Sequence, residues 1–288
     1  MPTLRQLTAD LSSALETIYP ASEAGSIAGQ ILEHLLQLTP LQRRMQADAP
    51  VPPEVADQLP ALQARLLHHE PMQYVLGVAH FAGLELEVTP ATLIPRPETE
   101  ELVQLIIEEQ RHRSALSVLD VGTGSGCIPL ALCQALEPIR TVAVDISADA
   151  LAVARRNASR YGCEIDFQQL DILTQTPTVE PHSLDVLVSN PPYVLESERP
   201  LMRPNVLNFE PATALFVPDY DPLLFYRRIA ELGTTLLRPG GALYFEINEQ
   251  YASQTLDLLT GLDYTQAVAR PDIFGKQRLV RASREKVA

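Results

Sequence analysis

At 288 residues with 46% hydrophobic content, the chain has material for one large domain and a small one, and no apolar run is long enough to span a bilayer. Acidic residues outnumber basic ones 36 to 22, for a net charge of −14, which disfavours a polyanion-binding surface; no direct nucleic-acid contact is expected. The three cysteines form no C-x-x-C pair and the six histidines are scattered, so reduced core thiols and no metal site are expected.

The first segment reads as helical. Leu7, Leu11, Ala14, Leu15 and Ile18 recur at helical spacing until Tyr19-Pro20, and Ile27, Ile31, Leu35 and Leu38 do so until Thr39-Pro40. A third helix starts at Pro40 or Leu41, and Pro50-Val51-Pro52-Pro53 separates it from a fourth through Val55, Leu59, Leu62 and Leu66. This small bundle carries no catalytic constellation, so residues 1–75 are expected to be a substrate-docking domain. Two alternating runs about Ala82-Gly83 predict a β-hairpin, assigned to a linker over residues 76–90. Residues 91–288 then form the main domain. It opens with Leu93-Ile94-Pro95-Arg96-Pro97-Glu98-Thr99-Glu100, a rigid entry to a helix through Leu102, Leu105 and Ile106.

From Leu116 the pattern changes to alternating strands and helices. The strand Leu116–Val121 runs into Gly122-Thr123-Gly124-Ser125-Gly126, a tight turn before an apolar helix from Cys127 to Leu136. Glycines let a backbone approach a ligand closely, with helix N–H groups facing it. The next strand, Thr141–Asp145, ends in an acid about twenty residues after the loop, the spacing at which a carboxylate takes both ribose hydroxyls of a nucleoside. The loop is Gly-x-Gly-x-Gly and no phosphate-binding lysine follows, so an adenosine without phosphates fits best: S-adenosylmethionine.

The alternation continues. Ser147 caps a helix that closes at Gly162, and a third strand over residues 164–170 ends at Asp171, whose acid could reach the adenine amino group or cap the next turn. The fourth strand, through Val186-Leu187-Val188-Ser189, stops at Asn190-Pro191-Pro192-Tyr193. Prolines cannot continue a central strand, and they leave carbonyl oxygens beside an amide and an aromatic ring. At a strand's carboxyl end this is a rigid acceptor cluster suited to a planar group with N–H donors, an amide or an amino-substituted base. After an irregular stretch to about Pro218 come a helix from Asp221 to Leu237, a turn at Arg238-Pro239-Gly240-Gly241, and a strand from Ala242 to Ile247. A helix from about Gln250 to Thr260 then leads to two antiparallel closing strands.

With loop, acid and tetrapeptide on successive strand ends, the chain resembles the class I S-adenosylmethionine methyltransferases. It most resembles the protein-(glutamine-N5) methyltransferases that modify peptide chain release factors. The resemblance covers about residues 71 to 283. It is carried by Pro71-Met72-Gln73-Tyr74-Val75-Leu76-Gly77, the segment from Pro90 to Glu100, the glycine loop, Asn190-Pro191-Pro192-Tyr193 and Phe209-Glu210-Pro211. It implies a Rossmann-like α/β fold: a mostly parallel seven-stranded sheet whose last strand is antiparallel, preceded by the helical bundle and hairpin. It implies that Gly122, Thr123, Gly124, Ser125 and Gly126 cradle the methionine part of the cofactor and Asp145 holds the ribose. Asp171 and Ile172 would flank adenine. Asn190, Pro191, Pro192 and Tyr193 would bind the substrate amide, with Asn190 also touching the cofactor and Asn190, Pro191 and Tyr193 serving catalysis. The implied reaction methylates the glutamine of a Gly-Gly-Gln motif and releases S-adenosyl-L-homocysteine. Alternatives are a ribosomal-protein glutamine, an amino group of a DNA or RNA base, and a non-catalytic cofactor-binding module. The start, Met1-Pro2-Thr3-Leu4-Arg5, has no signal-peptide h-region, so a cytoplasmic monomer without membrane association is expected.

Overall fold

In the computed structural model, residues 1–113, 115–136 and 139–285 are described, with only the backbone described for residue 139. The chain forms two compact units: Met1–Gly77 with Arg203–Phe209, and Val78–Met202 with Glu210–Ala288.

The first unit contains α1 (Leu4–Leu15), α2 (Ala21–Leu36), α3 (Pro40–Met45), α4 (Pro53–Ala56), α5 (Leu59–Leu67) and α6 (Met72–Leu76). Thr3 with Gln6 and Thr39 with Gln42 form capping boxes, so the donors at two helix starts are satisfied within four residues. The single helix expected through Val55 and Leu66 is two helices. Pro60 sits in the first turn of α5, where its missing N–H costs nothing, and the chain turns at Asp57-Gln58. Helix α6, not expected, follows Pro71 and ends at Gly77 with φ +75°. Leu11, Leu15, Ile31, Leu32 and Leu66 fill the unit's apolar core.

The second unit begins with the hairpin β1 (Val78–Phe81) and β2 (Leu84–Glu87), followed by α7 (Pro97–Gln110), β3 (Leu116–Val121), α8 (Cys127–Ala135), β4 (Ile139–Asp145), α9 (Ala148–Tyr161), β5 (Ile165–Gln169) and β6 (Leu184–Ser189). Next come β7 (Val194–Leu195), the short helix α10 (Pro204–Leu207) of the first unit, β8 (Phe216–Val217), α11 (Leu224–Leu236), β9 (Leu237–Glu246), α12 (Ala252–Gly261), β10 (Tyr264–Pro271) and β11 (Gln277–Arg284). The main sheet has seven strands in the order β10-β11-β9-β6-β3-β4-β5. Its pairs β3–β4, β4–β5, β3–β6 and β6–β9 are parallel, and β11 runs antiparallel to both neighbours. The chain thus winds outward from β3 to β5, then returns to the other side of β3 with β6. Ligands of open α/β sheets bind where the winding reverses, beyond the carboxyl ends of the strands.

Two apolar layers flank the sheet. Leu102, Ile106, Leu130 and Leu132 of α7 and α8 cover one face, and Tyr226, Ile229 and Leu259 of α11 and α12 the other. Strand β6 is buried along its whole length, as a central strand covered on both faces must be. Strand β9 starts earlier than expected, at Leu237. Arg238 to Gly241 bulge within it, because Leu184 pairs with Leu237 and Val186 already pairs with Ala242.

The cysteines depart from expectation. Cys133 on α8 and Cys163 before β5 form a disulfide, their Cα atoms 6.3 Å apart, where reduced thiols were expected. The packing of α8 beside the turn after α9 brings together residues 30 apart in the chain, which spacing alone does not show. Cys127 is free.

Candidate active site

Four strands deliver the constellation side by side. Val121 pairs with Ser189 on one flank and with Val144 on the other, and Asp145 pairs with Gln169. The residues at or just beyond these strand ends, Asn190, Gly122, Asp145 and Asp171, therefore stand in one row along the carboxyl edge. Beneath them is a cleft of about 340 Å³, within the size range of small-molecule sites. Gly122, Gly124 and Asp145 line its middle, Asp171 and Ile172 one part, and Asn190, Pro191 and Pro192 another. Two larger surface grooves, around Arg140–Phe167 and around Gln104–Gln134, contain none of these residues.

The glycine loop is held from three sides. Gly122 and Thr123 donate backbone N–H groups to the Val144 carbonyl at 2.9 and 3.0 Å, and Gly124 N–H donates to Asp145 Oδ2 at 2.8 Å. Asn157 is buried in α9. Its amide donates to the carbonyls of Ser125 and Glu87, both at 3.0 Å, and its Oδ1 accepts Glu87 N–H. Gly126 has φ +82°, and a Cβ there would meet Ala154 Cβ and Leu130 Cδ1 at 3.3 Å. At Gly124 (φ +55°) a Cβ would meet nothing within 4 Å, because the backbone borders open space. Thr123, Ser125 and Gly126 do not line the cleft; the Thr123 and Ser125 side chains are buried.

Asp145 spends one lone pair of each oxygen on the protein, Oδ2 on Gly124 N–H and Oδ1 on Ser147 N–H at 2.9 Å. A carboxylate has about four acceptor positions, so two remain for vicinal hydroxyls. Burial pushes the Asp145 carboxyl above its ordinary range, and these backbone N–H groups oppose that shift. Asp171 takes the turn-capping role that stood beside its adenine role. Its Oδ1 accepts Leu173 N–H at 2.9 Å and its Oδ2 accepts the Thr174 hydroxyl at 3.1 Å.

Asn190 Nδ2 donates to Thr99 Oγ1 at 3.1 Å, and Thr99 Oγ1 donates to Glu246 Oε2 at 2.6 Å. Tyr193, expected to face the substrate, lies outside the cleft lining. Its hydroxyl turns inward and donates to Glu246 Oε1 at 3.0 Å. Burial beside the Glu246 carboxylate raises the Tyr193 phenol well above its ordinary value, so the ring is an inward-tied prop and no proton acceptor. The segments from Pro90 to Glu100 and from Phe209 to Pro211 meet in an ion pair. The Glu210 carboxylate, almost fully buried, accepts the Arg96 guanidinium at 2.5 Å and Ile94 N–H at 3.2 Å. That pair fixes the cleft wall formed by Leu93, Pro211 and Ala214.

Sequence reasoning missed Asp120. It ends β3 one residue before the last strand position, is wholly buried, and has no hydrogen-bond partner on either carboxylate oxygen. Burial pushes its carboxyl up to about 7. The signal was an acid inside an apolar strand, since buried acids are rare unless paired. Thr99 and Glu246, which hold Asn190, were missed too, because they lie 91 and 56 positions away from it.

Comparisons with known proteins show the family. Residues 6–77 match the family described as the PrmC N-terminal domain, and residues 99–203 the Methyltransferase small domain. A release factor glutamine methyltransferase of Bacteroides thetaiotaomicron is 42% identical over 281 residues, 98% of this chain and all of the relative. The chain belongs to the release factor glutamine methyltransferase family. A second member, from Flavobacterium psychrophilum, is 40% identical over 94% of this chain and 95% of its own length. The fold also appears in the solved hMettl16 catalytic domain, with TM-score 0.55 and 16% identity, over 72% of this chain and 77% of that one. The family's fold and cofactor, a Rossmann-like methyltransferase domain using S-adenosylmethionine, are those of this chain.

The residues present fit that cofactor. Gly124 offers backbone without a side chain to the open cleft, Asp145 keeps two acceptor positions, and Ile172 gives an apolar wall for a base. Asp120, buried next to the loop with both oxygens unpartnered, leaves a negative charge behind the loop that favours a cationic ammonium group near it. Among the described residues, no helix is long and apolar enough to cross a membrane.

Proposed function

We propose that this chain transfers a methyl group from S-adenosylmethionine to the side-chain amide nitrogen, N5, of the glutamine in the Gly-Gly-Gln motif of peptide chain release factors. The observation that carries the reading is the lining of one cleft by Asn190, Pro191 and Pro192 next to Gly122, Gly124 and Asp145. An acceptor cluster for an amide thus borders a site for an adenosine. Relatives named for release factor glutamine methylation match the chain over nearly its full length.

When bound, S-adenosylmethionine supplies an electrophilic methyl group and leaves as S-adenosyl-L-homocysteine, the displaced amide proton passing to water. The chain's own contribution is orientation. A carboxamide nitrogen is a weak nucleophile because its lone pair is delocalised into the carbonyl. Asn190 Oδ1 and the Pro191 carbonyl accept its two N–H bonds and aim the nitrogen along the cleft. Pro191 and Pro192 hold these acceptors rigidly, and fixed orientation contributes up to roughly 7–11 kcal/mol in favourable cases. In the loop Gly122 to Gly126, Gly122 and Gly124 face the methionine part while Thr123, Ser125 and Gly126 shape the turn behind them; Asp145 holds the ribose, and Asp171 and Ile172 flank adenine. Residues 1–75 dock the protein substrate, 76–90 connect, and 91–288 carry the chemistry in a monomeric, cytoplasmic enzyme.

The test is incubation with methyl-labelled S-adenosylmethionine and unmodified release factor, followed by mass spectrometry. A single methyl on the Gly-Gly-Gln glutamine, absent with Asn190→Ala, is the expected result. Label on DNA or a ribosomal protein, with none on release factor, overturns the substrate.

A further inference from the structure

The carboxamide of Asn190 has two ends, and only one of them suits the proposed reaction. Amide oxygen and nitrogen are told apart by their partners. Thr99 Oγ1 is the partner here, and a hydroxyl has a single proton. That proton lies on Glu246 Oε2 at 2.6 Å, the length of a hydroxyl bond to a charged carboxylate. Towards Asn190, 3.1 Å away, Thr99 is left with lone pairs only, so the –NH₂ end must face it. Asn190 Oδ1 is thereby kept off Thr99 and left for another partner, and Asn190 lines the cleft. Thr99 and Glu246 are shielded from water, 2% and 1% exposed, while Asn190 is half-buried at the cleft. No solvent molecule substitutes readily for a lost partner.

We propose that Thr99 and Glu246 are positioning residues that hold the Asn190 oxygen towards the substrate amide, and that they do so with Glu246 ionised. The inference rests on the reading of Asn190 as acceptor for the substrate's N–H. Protonation of Glu246 reverses the chain of bonds. The carboxylic acid then donates to Thr99, whose own proton becomes free to seek the Asn190 oxygen, and the inward –NH₂ loses its unique partner. Tyr193 bonds Oε1 in either state and so steadies the carboxylate without reporting its charge.

The groups facing Glu246 come from every element packed on it. Arg278 of β11 favours its charge; Glu98 of α7 opposes it. The phenols of Tyr193 and Tyr226 and the Cys127 thiol stay neutral because burial, first of all, and then nearby carboxylates, Glu246 for the phenols and Asp120 with Glu246 for the thiol, hold their protons on. Burial raises the Glu246 carboxyl above its ordinary value, while the bonds from Thr99 and Tyr193 and the Arg278 charge pull it back. Its carboxyl is therefore protonated at a less acidic pH than that of an exposed glutamate.

The experiment measures kcat, KM and cofactor Kd for methyl transfer to release factor by the wild type, Thr99→Ser, Thr99→Val and Glu246→Gln, from pH 5 to 9. Thr99→Ser keeps the hydroxyl and should stay within about threefold of wild-type kcat, whereas Thr99→Val should lose about tenfold or more with cofactor Kd little changed. Wild type and Thr99→Ser should lose kcat as pH falls through the Glu246 titration; Glu246→Gln, with nothing to titrate, should lack that limb. If Thr99→Val does not fold, the limb in wild type and its absence in Glu246→Gln decide the matter. Wild-type kcat in Thr99→Val, or the same acid limb in Glu246→Gln, overturns the positioning role while Asn190→Ala remains inactive. An active Asn190→Ala instead brings down the functional reading beneath it.

Discussion

Replacement of Asp120 by asparagine tests whether its burial stores instability that the cofactor relieves. The carboxylate is wholly inaccessible, makes no hydrogen bond of full geometry, and is held up to about 7 by burial, which the nearby Thr123 hydroxyl opposes and the Asp145 charge reinforces. From an ordinary value of 3.8 the rise is about three pH units, or about 4 kcal/mol at 1.36 kcal/mol per unit. The sign follows from linkage. The folded state binds this proton more tightly than the unfolded state, so the group's contribution is fully present below about pH 4. It is lost as pH rises through 7. Asparagine is nearly isosteric and uncharged, so without cofactor Asp120→Asn should be more stable than wild type at pH 8 by up to about 4 kcal/mol, and the gap should close towards pH 5. At roughly 2–4 °C per kcal/mol for a domain of this size, that is about 8–16 °C in melting temperature at pH 8. Differential scanning calorimetry of both proteins at pH 5, 6.5 and 8 measures it, since every other titrating group is common to the pair. The same substitution should weaken cofactor binding by isothermal titration calorimetry, because the cation loses its counter-charge. A stability gap that does not change with pH, or a wild type more stable at pH 8, would refute the reasoning.

Asn190→Ala should lower kcat by well over tenfold, more than 1.36 kcal/mol in the barrier, while isothermal titration shows cofactor Kd nearly unchanged. Arg96→Ala leaves the Glu210 carboxylate buried with only Ile94 N–H. It should cost about 3 kcal/mol, near the low end for breaking a buried pair because Arg96 is partly exposed, and hydrogen exchange should quicken around residues 211–216. Gly126→Ala forces a side chain into a left-handed conformation and against Ala154 and Leu130. It should destabilise the protein by about 1–2 kcal/mol, read from urea unfolding, and weaken cofactor binding.

The parts of the fold legible in the sequence are those set by local rules. Strand β6 announces itself because Val186 to Val188 form an apolar run and the prolines that follow cannot extend it. The row of Gly122, Asp145, Asp171 and Asn190 was legible because parallel strands place their carboxyl ends together, whichever neighbours pair. Illegible were features made by distant packing. The Cys133–Cys163 link depends on how α8 lies against the turn after α9. The inward turn of Tyr193 depends on Glu246, which arrives from β9 two strands' worth of chain later. An aromatic ring beside a strand end looks the same in sequence whether it faces a ligand or a buried carboxylate. Asp171 shows the same ambiguity, since an acid at a strand end serves a turn and a ligand with the same oxygens.

The segment from Leu93 to Glu100 serves the cleft as directly as the tetrapeptide does, and its geometry gives a physical reason. Within eight residues it supplies both supports of the amide end of the cleft. Arg96 and Ile94 N–H clasp Glu210, which fixes the wall at Pro211 and Ala214; Thr99, one turn into α7, clasps Glu246 and Asn190. Pro95 and Pro97 hold the spacing between those two tasks, with Pro97 opening the helix at the position where its missing N–H is harmless. Asn-Pro-Pro-Tyr alone supplies acceptors to any planar group with N–H donors. Which way its asparagine points, and how closely the wall approaches, are decided by this other stretch. Grafting Asn-Pro-Pro-Tyr onto a sheet without a threonine and glutamate behind it should therefore give a cleft that binds cofactor but leaves the amide free to turn.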